Sequence, residues 1–155
     1  MNALLTAFST WLHVMSTILM VGYYIFTGLI FLPVLARQLQ AEALRSLLEQ
    51  VSARLRPYFA AALLAFIASG TYLMMTNQQY LGLGHFFANP WSALIVIKHF
   101  IVLAFLILAF TSERAYIPHI RAADPRPLRL FQRAVTVNIL LGTLIILLTA
   151  VAQVV

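Results

Sequence analysis

The stretch WSALIVIKHFIVLAFLILAF, residues 91–110, decides the fold. All of its residues are apolar except Ser92, Lys98 and His99. As a helix rising about 1.5 Å per residue it is roughly 30 Å long, the thickness of a bilayer's hydrocarbon core. Three more runs have comparable length and character: Leu4 to Leu35, Tyr58 to Thr76, and Leu130 to Val154. None shows strand alternation, and each is about twice as long as a barrel strand, so all four are expected to be helices that satisfy their own backbone in lipid.

The whole chain agrees with that reading. Its 155 residues are 63% hydrophobic and 9% charged, beyond an ordinary soluble domain and too few for two large ones. The expectation is one all-α unit over 1–155, an integral membrane four-helix bundle with spans at about 4–35, 58–76, 91–110 and 130–154. The first run has no basic start and no small-residue cleavage pattern, so it is expected to be retained and not removed as a signal peptide. Between spans one and two, Leu44, Leu47, Leu48, Val51 and Leu55 recur at helical spacing with Glu42, Arg45, Glu49 and Arg54 interleaved. That pattern predicts an amphipathic cytoplasmic helix over Gln38 to Leu55, with Pro57 opening the second span. Pro33 is expected to kink the end of span one, and Pro118, Pro125 and Pro127 to break the chain between spans three and four.

The net charge of +6 is an orientation signal. Arg37, Arg45, Arg54 and Arg56 flank the first connection, and Arg114, Arg121, Arg126, Arg129 and Arg133 flank the third. Residues 77–90 and both chain ends hold no Lys or Arg. The positive-inside rule then makes both arginine-bearing connections cytoplasmic, and puts the termini and the 77–90 loop on the opposite side of the membrane. Lipid headgroups are the expected partners of this charge, and nucleic acid is not.

Ionisable side chains inside spans are costly and usually functional, which singles out His13, Lys98 and His99. His13 lies eight residues into span one and His99 nine residues into span three, so both are expected roughly 12 to 13 Å below the same face. His13 shares a helix side with Ser9, Ser16, Thr17, Met20, Tyr24, Thr27 and Gly28, the small and hydroxyl residues that mark a bundle's interior. Spans two and four show similar stripes, Ala62, Ala65, Ser69 and Tyr72, and Asn138, Gly142, Ile145 and Thr149. Lys98 and His99 differ in direction by about 100°, so one of them ligates while the other faces elsewhere. Neutral imidazole favours His99 as the metal donor, with Lys98 as its rival or as a partner for a carboxylate. Against these stands the simpler alternative that each histidine only bonds a hydroxyl on the next helix. His119 reads as solvated, His85 as a surface residue or an entry ligand, and the methionines as packing residues. Trp11, Trp91, Tyr80, Phe86 and Phe87 suggest an interfacial aromatic belt. The absence of cysteine excludes thiolate ligands and iron–sulfur clusters.

The segment Leu12 to Gly22, opening Leu12-His13 and followed by Phe31-Leu32-Pro33-Val34-Leu35, resembles the first helix of the CopD domain family of bacterial membrane proteins. Met20 stands where that family favours Trp, and Tyr23 replaces its second Gly. Arg54 to Thr71 with Ser69-Gly70, Pro90 to Phe110 with Lys98, and Arg133 to Val151 with Gly142 resemble the other three helices. The resemblance implies a four-helix inner-membrane bundle associated with copper handling. A more distant likeness is to the HemJ-type protoporphyrinogen oxidases, which pair a first-helix His with a third-helix Lys around a b-type haem; His13 and Lys98 stand in those places.

Three functions follow as expectations. The first is a b-type haem held between spans one and three by His13 and His99, with Gly70 and Gly142 admitting the macrocycle and Asn77, Gln78, His85 or Asn89 meeting its propionates. Its role would be electron transfer or haem-dependent oxidoreductase chemistry with a quinone or a small diatomic molecule. The second is copper binding or transport by a relay of His13, Met15, Met20, His85 and His99. The third is a non-catalytic subunit of a larger membrane complex, or a homo-oligomer, packed through its small-residue faces.

Overall fold

The computed structural model describes residues 3–154 apart from Leu83 and Phe86, so the Phe86 position of the expected aromatic belt lies outside the described residues. Four helices are long and apolar enough to cross a membrane: α1 Ala3–Gln38, α2 Ala41–Thr76, α3 Pro90–His119 and α4 Arg126–Val151. The described residues contain no strand, only an isolated bridge between Arg121 and Asp124. This is a multi-pass membrane protein.

The helices run past the apolar segments that announce them. α3 continues as α-helix to Tyr116 and ends in a 3-10 turn, Ile117–His119, at Pro118. At its other end Asn89 caps the helix, its Oδ1 accepting the Ser92 N–H at 2.7 Å. In α1 the turn Thr27–Phe31 is a π-helix, with the Leu32 N–H reaching back to the Thr27 carbonyl. The bulge sits just before Pro33, which has no N–H for the ladder, so proline and π-turn together mark one irregular turn.

The expected separate amphipathic helix is corrected. Ala41–Thr76 is one 36-residue helix with Pro57 in its interior. A proline removes only one ladder bond, and Leu44, Leu48 and Ser52 are buried on the same continuous rod. At about 1.5 Å per residue α2 is roughly 54 Å long, far more than the hydrocarbon thickness. Its first turns therefore project beyond the span, where Glu42 Oε1 accepts the Ala122 N–H at 3.3 Å.

Helix direction gathers all nine arginines at one end of the bundle, called here the arginine face. α1 packs chiefly on α2, α3 chiefly on α4, and α1 also meets α4, whereas α2 and α3 lie apart over most of their length. Small residues allow the close approaches: a Cβ on Gly142 would lie 2.8 Å from Val21 Cγ1, and one on Gly28 would lie 2.6 Å from Ile139 Cδ1. The core runs through Met20, Tyr24, Ala62, Phe105, Ala109, Phe131, Val135 and Ile145. Asn138, wholly buried among them, donates to the Phe105 carbonyl and accepts from the Ala109 N–H, both at 3.3 Å. Phe8, Trp11, Leu64, Phe100, Ile107, Leu140 and Leu147 point outward, as side chains bathed in lipid do. Trp91 does not join that outer belt; it is buried at the start of α3.

Candidate functional site

The gap between α2 and α3 and the ends of α1 and α4 leave a cavity of about 660 Å³ at the end away from the arginines. His13 and Lys98 both line it, with Phe66, Asn77, Gln153 and a set of threonines. His13 is fixed from two sides. Its Nδ1 lies 3.2 Å from the Phe66 carbonyl and 3.2 Å from Ser69 Oγ, and its ring stacks on Phe66 with centroids 4.3 Å apart. A carbonyl only accepts, so Nδ1 carries the proton. Ser69 gives its own proton to the Ala65 carbonyl at 2.6 Å, which leaves Oγ as a second acceptor for the same N–H. In the neutral imidazole Nε2 is then the unprotonated nitrogen, the one that can act as base or metal donor.

Gly70 belongs to this arrangement. A Cβ there would lie 2.9 Å from His13 Cε1 and 3.2 Å from Nδ1, so glycine makes room for the imidazole itself. Gly142 faces Val21 at the α1–α4 contact. The expectation paired His13 with His99; the structure instead brings Lys98 into the cavity of His13. His99 is exposed, its Nδ1 2.6 Å from the Ile95 carbonyl, and it lines a different, apolar groove with Met74, Phe87, Trp91 and Phe100. His85 is exposed on the 77–90 connection and His119 is exposed at the end of α3. Neither lines the cavity.

No group of three His, Asp or Glu side chains comes together among the described residues. Met20 is in the core, Met15 and Met75 face outward, and Met74 lines the other groove. A closed metal centre needs about three or four protein donors, so this donor set does not fit a resident metal ion. It fits a single imidazole presented to whatever enters the cavity.

A second polar cluster, missed from the sequence, lies near the arginine face. Tyr23 donates to Glu113 Oε1 at 3.1 Å, joining α1 to α3. Ser52 and Arg56 of α2 and Arg114 of α3 line the same small cavity of about 60 Å³. Its signal was present in the sequence: Glu113 falls four residues past Ala109, just where the apolar run stops but on the same helix side.

A family model, copper resistance protein D, matches residues 49–152, which include the second half of the bundle and most of α2. The chain belongs to the CopD family. The match contains Lys98, Gly70, Gly142 and Glu113, while His13 and the whole of α1 precede it. No curated protein and no solved structure matches the chain. As a CopD protein it is a membrane protein of copper-resistance type, and lipid is its surrounding partner.

Proposed function

We propose that this CopD protein handles copper as cargo, and that the cavity of His13 and Lys98 is where copper meets the protein. The observation that carries the reading is the pinned imidazole: the Phe66 carbonyl holds Nδ1–H, and Nε2 is left as a donor in a cavity wide enough to admit a small complex. Imidazole is a good copper donor. A lone donor also releases what it binds, as a conducting site must. The proposed topology puts the cavity, the 77–90 connection and both termini on the periplasmic side of a bacterial inner membrane, because the arginines gather at the other end.

The test is His13→Ala. Copper affinity of the purified protein is expected to fall by at least about tenfold, the scale on which weakening a metal ligand acts. In cells the copper-dependent phenotype is expected to go with it. Unchanged copper binding by the variant would remove the proposal.

A second reading is a b-type haem, favoured by one observation: the His13 imidazole lines a cavity of about 660 Å³, within the size range of cofactor sites. His13 would then be the axial ligand, with Lys98 rather than His99 beside the macrocycle. Its function would be electron transfer or redox chemistry with a quinone or a diatomic molecule. A colourless protein after haem supplementation, with no Soret absorption, would eliminate it. Assembly as a homo-oligomer or with another membrane subunit is compatible with either reading and is read out by mass in nanodiscs.

A further inference from the structure

Lys98 is the one Lys or Arg away from the arginine face, and no Asp or Glu accompanies it there. The four acidic side chains of the sequence are Glu42 and Glu49 in the first turns of α2, Glu113 near the end of α3 and Asp124 in the connection after it. All four belong to the other half of the molecule. Glu113 lies fifteen residues beyond Lys98 on the same helix, roughly 22 Å along its axis.

The cavity wall does not compensate the charge. Its other polar members are His13, Asn77, Gln153 and five threonines, none of which carries a negative charge. Among the described residues Lys98 makes no hydrogen bond and no ion pair, the one ion pair being Arg45 with Glu49 at 3.9 Å. An ammonium inside a span is costly unless it meets an opposite charge. Any opposite charge that meets Lys98 comes from outside the described residues.

We propose that Lys98 makes this cavity an anion site, taking a small monoanion of halide or carboxylate type. The amides of Asn77 and Gln153 supply neutral hydrogen-bond donors in the same wall. An anionic lipid headgroup offers the same chemistry, but Lys98 lies eight residues into α3, roughly 12 Å below its start, which favours a free ion. The inference stands on the cavity and on charge, and it goes beyond the copper reading. Should that reading hold, a copper ion would be repelled by the neighbouring ammonium and would enter as an anion-paired complex.

The experiment contains no copper, so it fails or succeeds separately from His13→Ala. The full chain is placed in nanodiscs of phosphatidylcholine alone, and chloride NMR line broadening is titrated with azide as competitor. A saturable, azide-displaceable component is expected, at least about tenfold weaker in Lys98→Met and retained in Lys98→Arg. A second arm adds phosphatidylglycerol; lipid retained by the parent protein but not by Lys98→Met, with loss of the chloride component, assigns the anion to a headgroup. Helical circular dichroism and a monodisperse elution profile certify each variant, with Lys98→Gln replacing Lys98→Met if the latter misfolds. A parent protein with neither displaceable chloride nor retained anionic lipid overturns the proposal. So does a signal that survives both neutral variants.

Discussion

The cavity of His13 and the pocket of Glu113 are both polar places in an apolar bundle, and they solve the problem of charge in opposite ways. At the arginine face a carboxylate is met by Tyr23, with Arg56 and Arg114 in the same wall, and the space left is about 60 Å³. At the other end a lysine and an imidazole share about 660 Å³, and no carboxylate of the described residues lines it. The first is a closed set of partners that ties α1 to α3. The second is an open set, lacking the member that would balance it. A polar residue in a span is structural where the fold brings its partner, and points outward to a ligand where the fold does not.

Three substitutions sharpen that contrast. The largest effect is expected at Gly70→Leu, because even a Cβ there meets the His13 ring at 2.9 Å. Overpacking of this kind costs about 1–3 kcal/mol, and displacing the ring should reduce copper binding as far as His13→Ala does. Normal binding in a folded Gly70→Leu protein would separate the glycine from the site. Next comes Tyr23→Phe, which leaves Glu113 without its 3.1 Å donor and is expected to destabilise the bundle by about 1–2 kcal/mol in a denaturing-detergent titration. Copper binding should be unchanged, and a parallel loss would mean that the two polar places are coupled. The smallest effect is expected at Ser69→Ala, where His13 keeps the Phe66 carbonyl as acceptor at 3.2 Å. About 0.5–1 kcal/mol is at stake, and a larger cost would make the hydroxyl the principal anchor of the ring.

Much of the fold was legible, because lipid imposes one rule on every residue of a span. The four runs and the inward stripes could be read from hydropathy and the helical step alone; Ser16, Met20, Tyr24, Ala62, Ser69, Asn138, Gly142 and Ile145 are all buried. Helix ends were less legible. Hydropathy drops where a helix leaves the lipid, but the backbone need not stop there, so α3 continues through Thr111, Ser112 and Glu113, and α2 begins well before Pro57. Glu113 escaped notice for that reason. The site shows the same limit in another direction. Counting residues gives an expected depth, nearly equal for His13 and His99. Depth does not give azimuth, and one residue of rotation, about 100°, separates a side chain in the cavity from one in the lipid-facing groove. Gly70 was read as room for a macrocycle; which atom fills a glycine's missing volume depends on the neighbouring helix, and here it is the imidazole.

The length of α2 has a mechanical side. Gly70 and Ser69, which frame the imidazole, sit near one end of an unbroken helix whose other end, at Ala41, lies outside the apolar span. The distance between them is roughly 44 Å at about 1.5 Å per residue. A pivot of about 5° at the cavity would sweep the far tip by roughly 4 Å over that length. The rod thus has the proportions of a lever, its short arm at the His13 cavity and its long arm among the arginines, and its tip is tethered to the α3–α4 connection through Glu42 and Ala122.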